Sequence, residues 1–233
     1  EIALAQIWAA VLGLPQVGIH DNFFAIGGDS ILSLQIIARA NQAGINLTFK
    51  QLFAHPSIGE LAQVAGTDRL VRAEQGLVIG AVPLTPIQQW FFAQEFLAPH
   101  HYNQAVLLTV PADLAADLLQ QALIHIVSHH DALRLQFTTD DRGWHQYNAP
   151  LSDLPQLQIV DLSDLSEEDR ATQLTELCSQ QQASLDLGSG CLLQATLFQM
   201  GADRPQRLAI VAHHLVVDGV SWRILLDDIQ TAY

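Results

Sequence analysis

The sequence predicts two domains, a small all-α four-helix bundle followed by an α/β lobe. Three observations predict it. Through residues 1–66 apolar positions recur at helical spacing, with glycine, hydroxyl or acidic residues where helices stop and start. Beyond residue 83 helical periods alternate with short strand-like apolar runs. Residues 67–82 carry polar punctuation and glycine with no sustained period, as an inter-domain connection does. The predicted boundaries are therefore 1–66, a connection at 67–82, and 83–233.

In the first domain Ile2, Ile7, Val11 and Leu12 keep helical spacing up to Gly13, a natural C-terminal stop. A second periodic run extends from Ser30 to Ala43, ahead of Gly44. The connection between them, 14–29, is long for a compact domain and points to a functional loop. Thr48 opens a short helical turn, TFKQLF, and Ser57 with Glu60 forms a capping box ahead of Leu61 and Val64. In the second domain Thr85 and Pro86 start a helix. A strand follows at Tyr102–Val110, and Asp113 is placed to cap a helix running to about Ser128. Leu133–Thr138 and Trp144–Tyr147 read as a hairpin closed by DDRG at 140–143. Ser166 opens a helix whose first turn, Glu167, Glu168 and Asp169, complements the macrodipole. Leu192–Gln199 and Arg207–His214 read as strands flanking a turn at Gly201–Pro205, and a last helix runs from Ser221 to Tyr233.

Composition limits the function. Apolar residues make up 49% and charged residues 15% of the chain, enough for packed cores and against disorder. Ten Lys and Arg against 24 Asp and Glu give a net charge of −14. With no basic stripe, nucleic-acid partners are excluded. Cys178 and Cys191 match no CxxC or His-spaced pattern, which predicts reduced core cysteines rather than a disulfide framework or zinc site. Apolar stretches end short of membrane-spanning length and no leader pattern opens the chain, predicting no membrane partner and a cytoplasmic location. A start at Glu1 and an uncapped helical run at Tyr233 read as a piece of something longer.

Two motifs carry chemistry. In the first, Phe23-Phe24-Ala25-Ile26-Gly27-Gly28-Asp29-Ser30, a serine sits where the long loop meets a helix. Gly27 and Gly28 leave room for close approach, and a helix amino terminus offers N–H groups and partial positive charge to a phosphate on Ser30. On the residues alone, Asp29 or Ser30 can equally be a plain helix cap. Phe23, Phe24, Ile31 and Leu34 read as core or docking surface. The pattern FFxxGGDSxxxLQ, with LFAHPSI after it, resembles the peptidyl carrier domain of nonribosomal peptide synthetases over residues 1–66. That resemblance implies that a phosphopantetheinyl transferase moves 4′-phosphopantetheine from coenzyme A onto Ser30, whose arm then holds an aminoacyl or peptidyl thioester. It also implies an upstream adenylation domain that selects the amino acid. Asp29 before the serine resembles carriers that serve an epimerization domain.

The second motif is His213-His214-Leu215-Val216-Val217-Asp218-Gly219, between an apolar strand and an amphipathic helix. A neutral imidazole there can accept a proton near neutral pH if its tautomer is held. Alternation sends the two histidines to opposite faces, so one serves the site and the other the structure. Adjacent histidines point apart and no third ligand is near, so no metal is expected. The motif resembles the condensation-domain superfamily, which includes chloramphenicol acetyltransferase-like enzymes with an α/β lobe and a mixed sheet. The resemblance implies His214 as the acid/base residue, His213 and Gly219 as structural, and Asp218 in an ion pair with Arg134 of HHDALRLQF.

The segments LTPIQQWFF, HHYNQAVLL, HHDALRLQF and HHLVVDGVSWRILLDDI resemble the epimerization branch in particular, including Ser221 and Trp222 after the glycine. Ser221 as a helix cap and Trp222 as a core anchor remain alternatives. His101, Asn103, His129 and His130 are within sequence reach of the site but unassigned. The implied reaction removes and returns an α-proton of a carrier-bound thioester, with amides after Gly219 as candidate oxyanion donors. In the family a second lobe closes the tunnel and supplies a second acid/base residue that no residue here matches. The missing carboxy-terminal epimerization lobe and a downstream condensation domain are thus implied partners, and the fragment alone is expected to be inactive as an epimerase. Two alternatives stand: an amide-forming condensation lobe behind the carrier, or a noncatalytic docking platform.

Overall fold

The computed structural model describes residues 1–66, 76–151, 154–190 and 192–233. It divides into two compact units, Glu1–Gln75 and Gly76–Tyr233. Cys178 is a free, half-buried thiol, and Cys191 lies outside the described residues.

The first unit contains α1 (Ile2–Leu12), α2 (Ser30–Gln42), α3 (Phe49–Ala54) and α4 (Ile58–Val64). Gly13 ends α1 in the left-handed conformation, φ 66°, where glycine escapes the Cβ clash. Thr48 and Gln51 form a reciprocal capping box on α3, and Ser57 caps α4. Leu4 and Trp8 of α1 meet Ile36 and Ala40 of α2, Leu52 of α3 and Ile58 and Leu61 of α4 in one buried cluster. The long loop joins that core through Phe23, whose ring is fully buried and lies edge-on to Trp8 at 5.1 Å. The Phe23 N–H donates to the Pro56 carbonyl at 2.7 Å, and the Asn22 carboxamide oxygen accepts the Phe24 N–H at 3.0 Å. The loop is thus a packed segment with its backbone groups paired.

The second unit is built on two sheets. Strands β1 (Gly80–Val82), β3 (Leu135–Asp140) and β4 (Gly143–Asn148) form an antiparallel sheet in the order β1-β4-β3. The larger sheet joins β2 (Asn103–Val110), β5 (Leu157–Asp161), β6 (Leu193–Gln199) and β7 (Gln206–His213) in the order β2-β7-β6-β5. Its pairs are antiparallel except β5 with β6, so the sheet is mixed. Alternation sorts its two faces. Leu208, Ile210 and Ala212 of β7 pack under α6 (Ala116–His129) and α8 (Gly219–Ala232), while Ala209 and Phe198 meet the side of α7 (Glu167–Ala183). Helix α5 (Pro86–Ala93) sets Phe91 against Leu135, Phe137, Leu187 and Leu192. Among the described residues no helix is long and apolar enough to cross a membrane.

Three local readings differ from the sequence expectation. Gly80–Val82, read as the end of the connecting segment, is an edge strand paired with Gln146–Asn148. Three residues carry no alternation signal, and the pairing is non-local. Strand β5 has no counterpart in the expected elements, because its parallel partner β6 lies far along the chain. Asp113 does not cap α6: the helix starts after Ala115, which has no side-chain cap, and the Ala115 N–H donates to the Tyr233 hydroxyl at 2.9 Å.

Gly28 has a packing reason of its own. A Cβ built there lies 2.5 Å from the Phe23 ring, and that ring is locked in the core. Gly28→Ala is therefore expected to destabilise the first unit by about 1–3 kcal/mol, read as a lower denaturation midpoint. An unchanged midpoint would show that the loop relaxes freely.

Candidate functional site

At the junction of the loop and α2, Asp29 is the N-cap. Its carboxylate accepts the N–H groups of Ile31 at 2.8 Å and Leu32 at 2.7 Å. This makes Asp29 the cap that the residues alone left open, and it leaves Ser30 exposed as the first residue of the helix. Ser33, fully buried, donates its hydroxyl to the Ser30 carbonyl at 2.7 Å and holds the backbone of that turn. An exposed primary hydroxyl on a fixed backbone, relieved of capping by its neighbour, fits covalent attachment of a long phosphodiester-linked arm. The structure changes one part of the expectation: the second and third amides of α2, those of Ile31 and Leu32, serve Asp29 rather than a phosphate, and Gly28 makes room for Phe23.

In the second unit β7 ends at His213 and the chain turns into α8. His213 is completely buried. The Leu215 N–H donates to its Nδ1 at 3.1 Å, so Nε2 carries the proton and donates to the Pro99 carbonyl at 2.8 Å. Both nitrogens are engaged, and burial pushes the imidazole below its ordinary pKa. His213 is a neutral brace for the turn.

His214 faces the other way and is half-buried. Its Nδ1 lies 2.8 Å from the Val217 carbonyl, which can only accept, so Nδ1 holds the proton and Nε2 keeps its lone pair. The side chain of Gln104 reaches that lone pair at 3.2 Å. Trp222 orients Gln104: its indole N–H donates to Gln104 Oε1 at 2.9 Å, turning the amide NH₂ toward His214. Tyr102 stacks on the His214 ring at 5.1 Å and 16°, and its carbonyl accepts the His214 N–H at 2.8 Å. Tautomer and ring plane of His214 are thus held by the turn at Val217, by Tyr102 just ahead of β2, and by Gln104 of β2 braced from α8.

Sequence reasoning missed Gln104, although it lies within HHYNQAVLL. The available signal was a long amide in an otherwise apolar strand. Trp222, 8% exposed, is both core anchor and site member. Ser221 donates its hydroxyl to Asp218 at 2.8 Å and so belongs to the cap of α8. His101 sits in the turn Pro99–His101, and Asn103 donates to the carbonyls of His101 and Gln182. His129 and His130 gather at the other end of α8, where His130 bonds Asp228 at 2.8 Å, roughly 15 Å along the helix from Asp218 by helical rise. The ligand-type atoms of these three residues lie within 4.8 Å of one another.

Two expectations are corrected. Asp218 and Arg134 do not pair. Asp218 caps α8, which starts at Gly219, by accepting the N–H groups of Val220 at 3.0 Å and Ser221 at 2.8 Å. Those bonds, the Ser221 amide first, hold its carboxyl below the usual carboxylate range. Arg134 is 4% exposed and donates to the Val127 and Ser128 carbonyls at the end of α6, to the Ala149 carbonyl and to Asp131. A helix end with unpaired carbonyls and a neighbouring carboxylate supplies its partners locally. The amides after Gly219 are also unavailable as oxyanion donors, because Asp218 Oδ1 takes those of Val220 and Ser221 and the Asp218 carbonyl takes that of Trp222.

Two measurements follow from this geometry. Asp218→Ala should cost about 1 kcal/mol, as a lost cap does, and Asp218→Asn little. In a double-mutant cycle with Arg134→Ala the coupling should stay below about 0.5 kcal/mol, and a larger value would restore the ion pair. The second concerns pH. Because the folded lobe holds His213 neutral, the unfolded chain binds an extra proton below about pH 6.5. The stability from this group is complete above that pH and is lost as pH falls. Thermal melts of the full chain should show the decline, and His213→Gln should flatten it.

Comparison with known proteins places both units. The family described as Condensation domain matches residues 78–233, and the one described as Phosphopantetheine attachment site matches residues 3–65. The whole chain is 54% identical over 233 residues to a linear gramicidin synthase polypeptide of Brevibacillus parabrevis, covering 4% of that protein. It is 48% identical over 231 residues, 99% of the chain, to Chondramide synthase cmdD of Chondromyces crocatus, covering 6% of it. The chain therefore spans a small fraction of these relatives. The crystal structure of the epimerization domain from the third module of tyrocidine synthetase B matches 69% of this chain and 36% of its own, with 42% identity and a TM-score of 0.64. The chain belongs to the condensation-domain family, its condensation-family lobe preceded by a carrier domain for covalent 4′-phosphopantetheine, and is homologous to nonribosomal peptide synthetases.

Proposed function

We propose that the chain is the carrier and amino-terminal lobe of an epimerization unit, converting an L-aminoacyl or L-peptidyl thioester into an L/D mixture. The observation that carries this reading is the state of His214. Its Nδ1–H is bound by the Val217 carbonyl, and Nε2 presents a lone pair in a half-buried, pre-oriented ring. Ser30 is the attachment point, exposed at the start of α2 beside its capping neighbour Asp29. When bound there, the arm supplies a flexible thiol on which the substrate is held as a thioester. His214 then takes the α-proton at Nε2 while the C–H electron pair forms a bond to the carbonyl carbon and the carbonyl π pair moves onto the thioester oxygen. Return of a proton to the opposite face is assigned to a group on the second lobe.

The 42% identity to an epimerization domain over the lobe supports this choice, as do Asp29 ahead of the serine and Ser221-Trp222 after Gly219. The match to a family described as Condensation domain favours one second reading, amide formation with His214 assisting the attacking amine. Under either reading a phosphopantetheinyl transferase, an adenylation domain and a second lobe are the required partners.

The test uses the synthetase that carries this segment with both lobes present. After treatment with coenzyme A and a phosphopantetheinyl transferase, the peptide containing Ser30 should gain the mass of the arm, and Ser30→Ala should not. Once loaded, the wild type should exchange the α-proton with deuterated solvent and release D-residue without a new amide. His214→Ala should lower that exchange by about 10²–10⁴-fold. A new amide in place of the D-residue would favour the condensation reading, and a modified Ser30→Ala protein would move the attachment site.

A further inference from the structure

The corrected role of Asp218 leaves the reaction without the donors first considered for its oxyanion, and the same geometry supplies another. We infer that the side-chain amide of Gln104 is that donor, held in its donating orientation by Trp222; the inference rests on His214 acting as the base in proton abstraction.

Gln104 lies on β2 opposite Ala212 of β7, beside the end of the strand from which His214 emerges. Its amide has one orientation open to it. An indole N–H can only donate, so the atom 2.9 Å from Trp222 Nε1 is the oxygen Oε1, and the NH₂ group necessarily faces His214 Nε2 at 3.2 Å. A reversed amide would set NH₂ against the indole N–H and lose both bonds. Trp222 itself is buried in the cluster that joins α8 to the sheet.

In the resting site the Gln104 N–H therefore points at the lone pair that removes the α-proton. When that proton arrives, Nε2 has no lone pair left and the Gln104 N–H loses its acceptor. At that moment the C–H electron pair has become the Cα=C bond and the carbonyl π pair has moved onto the thioester oxygen, two bonds from the carbon that gave up the proton. The released N–H takes this oxygen as its new acceptor. The step balances without any co-reactant: the C–H bond breaks, an N–H bond forms on His214, and the enolate charge stays on oxygen. Gln104 is thus a catalytic residue and Trp222 a positioning residue. Of the other polar groups around His214, Asp218 is committed to the α8 cap and His213 to Pro99 and Leu215, while Tyr102 presents its ring face.

The test measures α-proton exchange on the loaded, two-lobed synthetase with Gln104→Met and Gln104→Glu. Methionine keeps length and volume, and glutamate keeps shape, but neither carries an N–H. Both should lower kcat, read as the first-order exchange rate of the tethered substrate, by about 10²–10³-fold, the loss seen for one oxyanion donor. Trp222→Phe should give a smaller loss in kcat. Thermal melting separates this from misfolding, and the glutamate variant decides if methionine unfolds the lobe. Wild-type kcat in Gln104→Glu overturns the inference while a dead His214→Ala leaves the base assignment standing. An active His214→Ala overturns the base assignment itself.

Discussion

The antiparallel register of β2 on β7 sets Asn103 opposite His213 and Gln104 opposite Ala212, and the α/β site depends on it. A slip by one residue would turn every β2 side chain to the other face. Gln104 would then leave the lone pair of His214 and the indole of Trp222. The register is held because Val106, Leu108 and Val110 of β2 pack on the same apolar cluster as Leu208, Ile210 and Ala212 of β7. Burial of the core and orientation of the His214 ring are therefore one constraint.

His213, the last residue of β7, and His214 just after it show how a single residue of offset separates a buried brace from a half-buried ring. His213 is driven into a water-free environment, where an imidazolium would be costly, and it is stabilised there by one donor and one acceptor. His214, on the other face, gives its proton-bearing nitrogen to a backbone carbonyl and turns the second nitrogen to the Gln104 amide. Trp222, Gln104 and Tyr102 are placed around it by packing and by their own hydrogen bonds.

The carrier unit follows a similar logic on a smaller scale. Its long loop is tied down by one aromatic ring, Phe23, inserted between the helices and packed against Trp8. Gly28 is small because that ring occupies the space a side chain would take. With the loop fixed, Asp29 reaches the amides of Ile31 and Leu32 and Ser30 is left at the surface. A buried anchor thus delivers an exposed nucleophilic hydroxyl at a defined point.

By itself the sequence determined what depends on near neighbours. Caps at Thr48, Ser57, Thr85 and Ser166, the stop at Gly13, the helical runs and the hairpin at 140–143 were legible because each is an interaction across a few residues. The motifs at Ser30 and His214 were legible for the same reason, together with the opposite faces of His213 and His214. Only the tertiary structure decided the partners that lie far apart in the chain. Strands β1 and β5, Gln104 bridging His214 and Trp222, and the choice of Arg134 for the end of α6 over Asp218 all belong to that class. Local pattern reports which face a side chain takes, but a polar group's partner is whichever donor or acceptor packing brings within about 3 Å, and that is a property of the assembled sheet and helices.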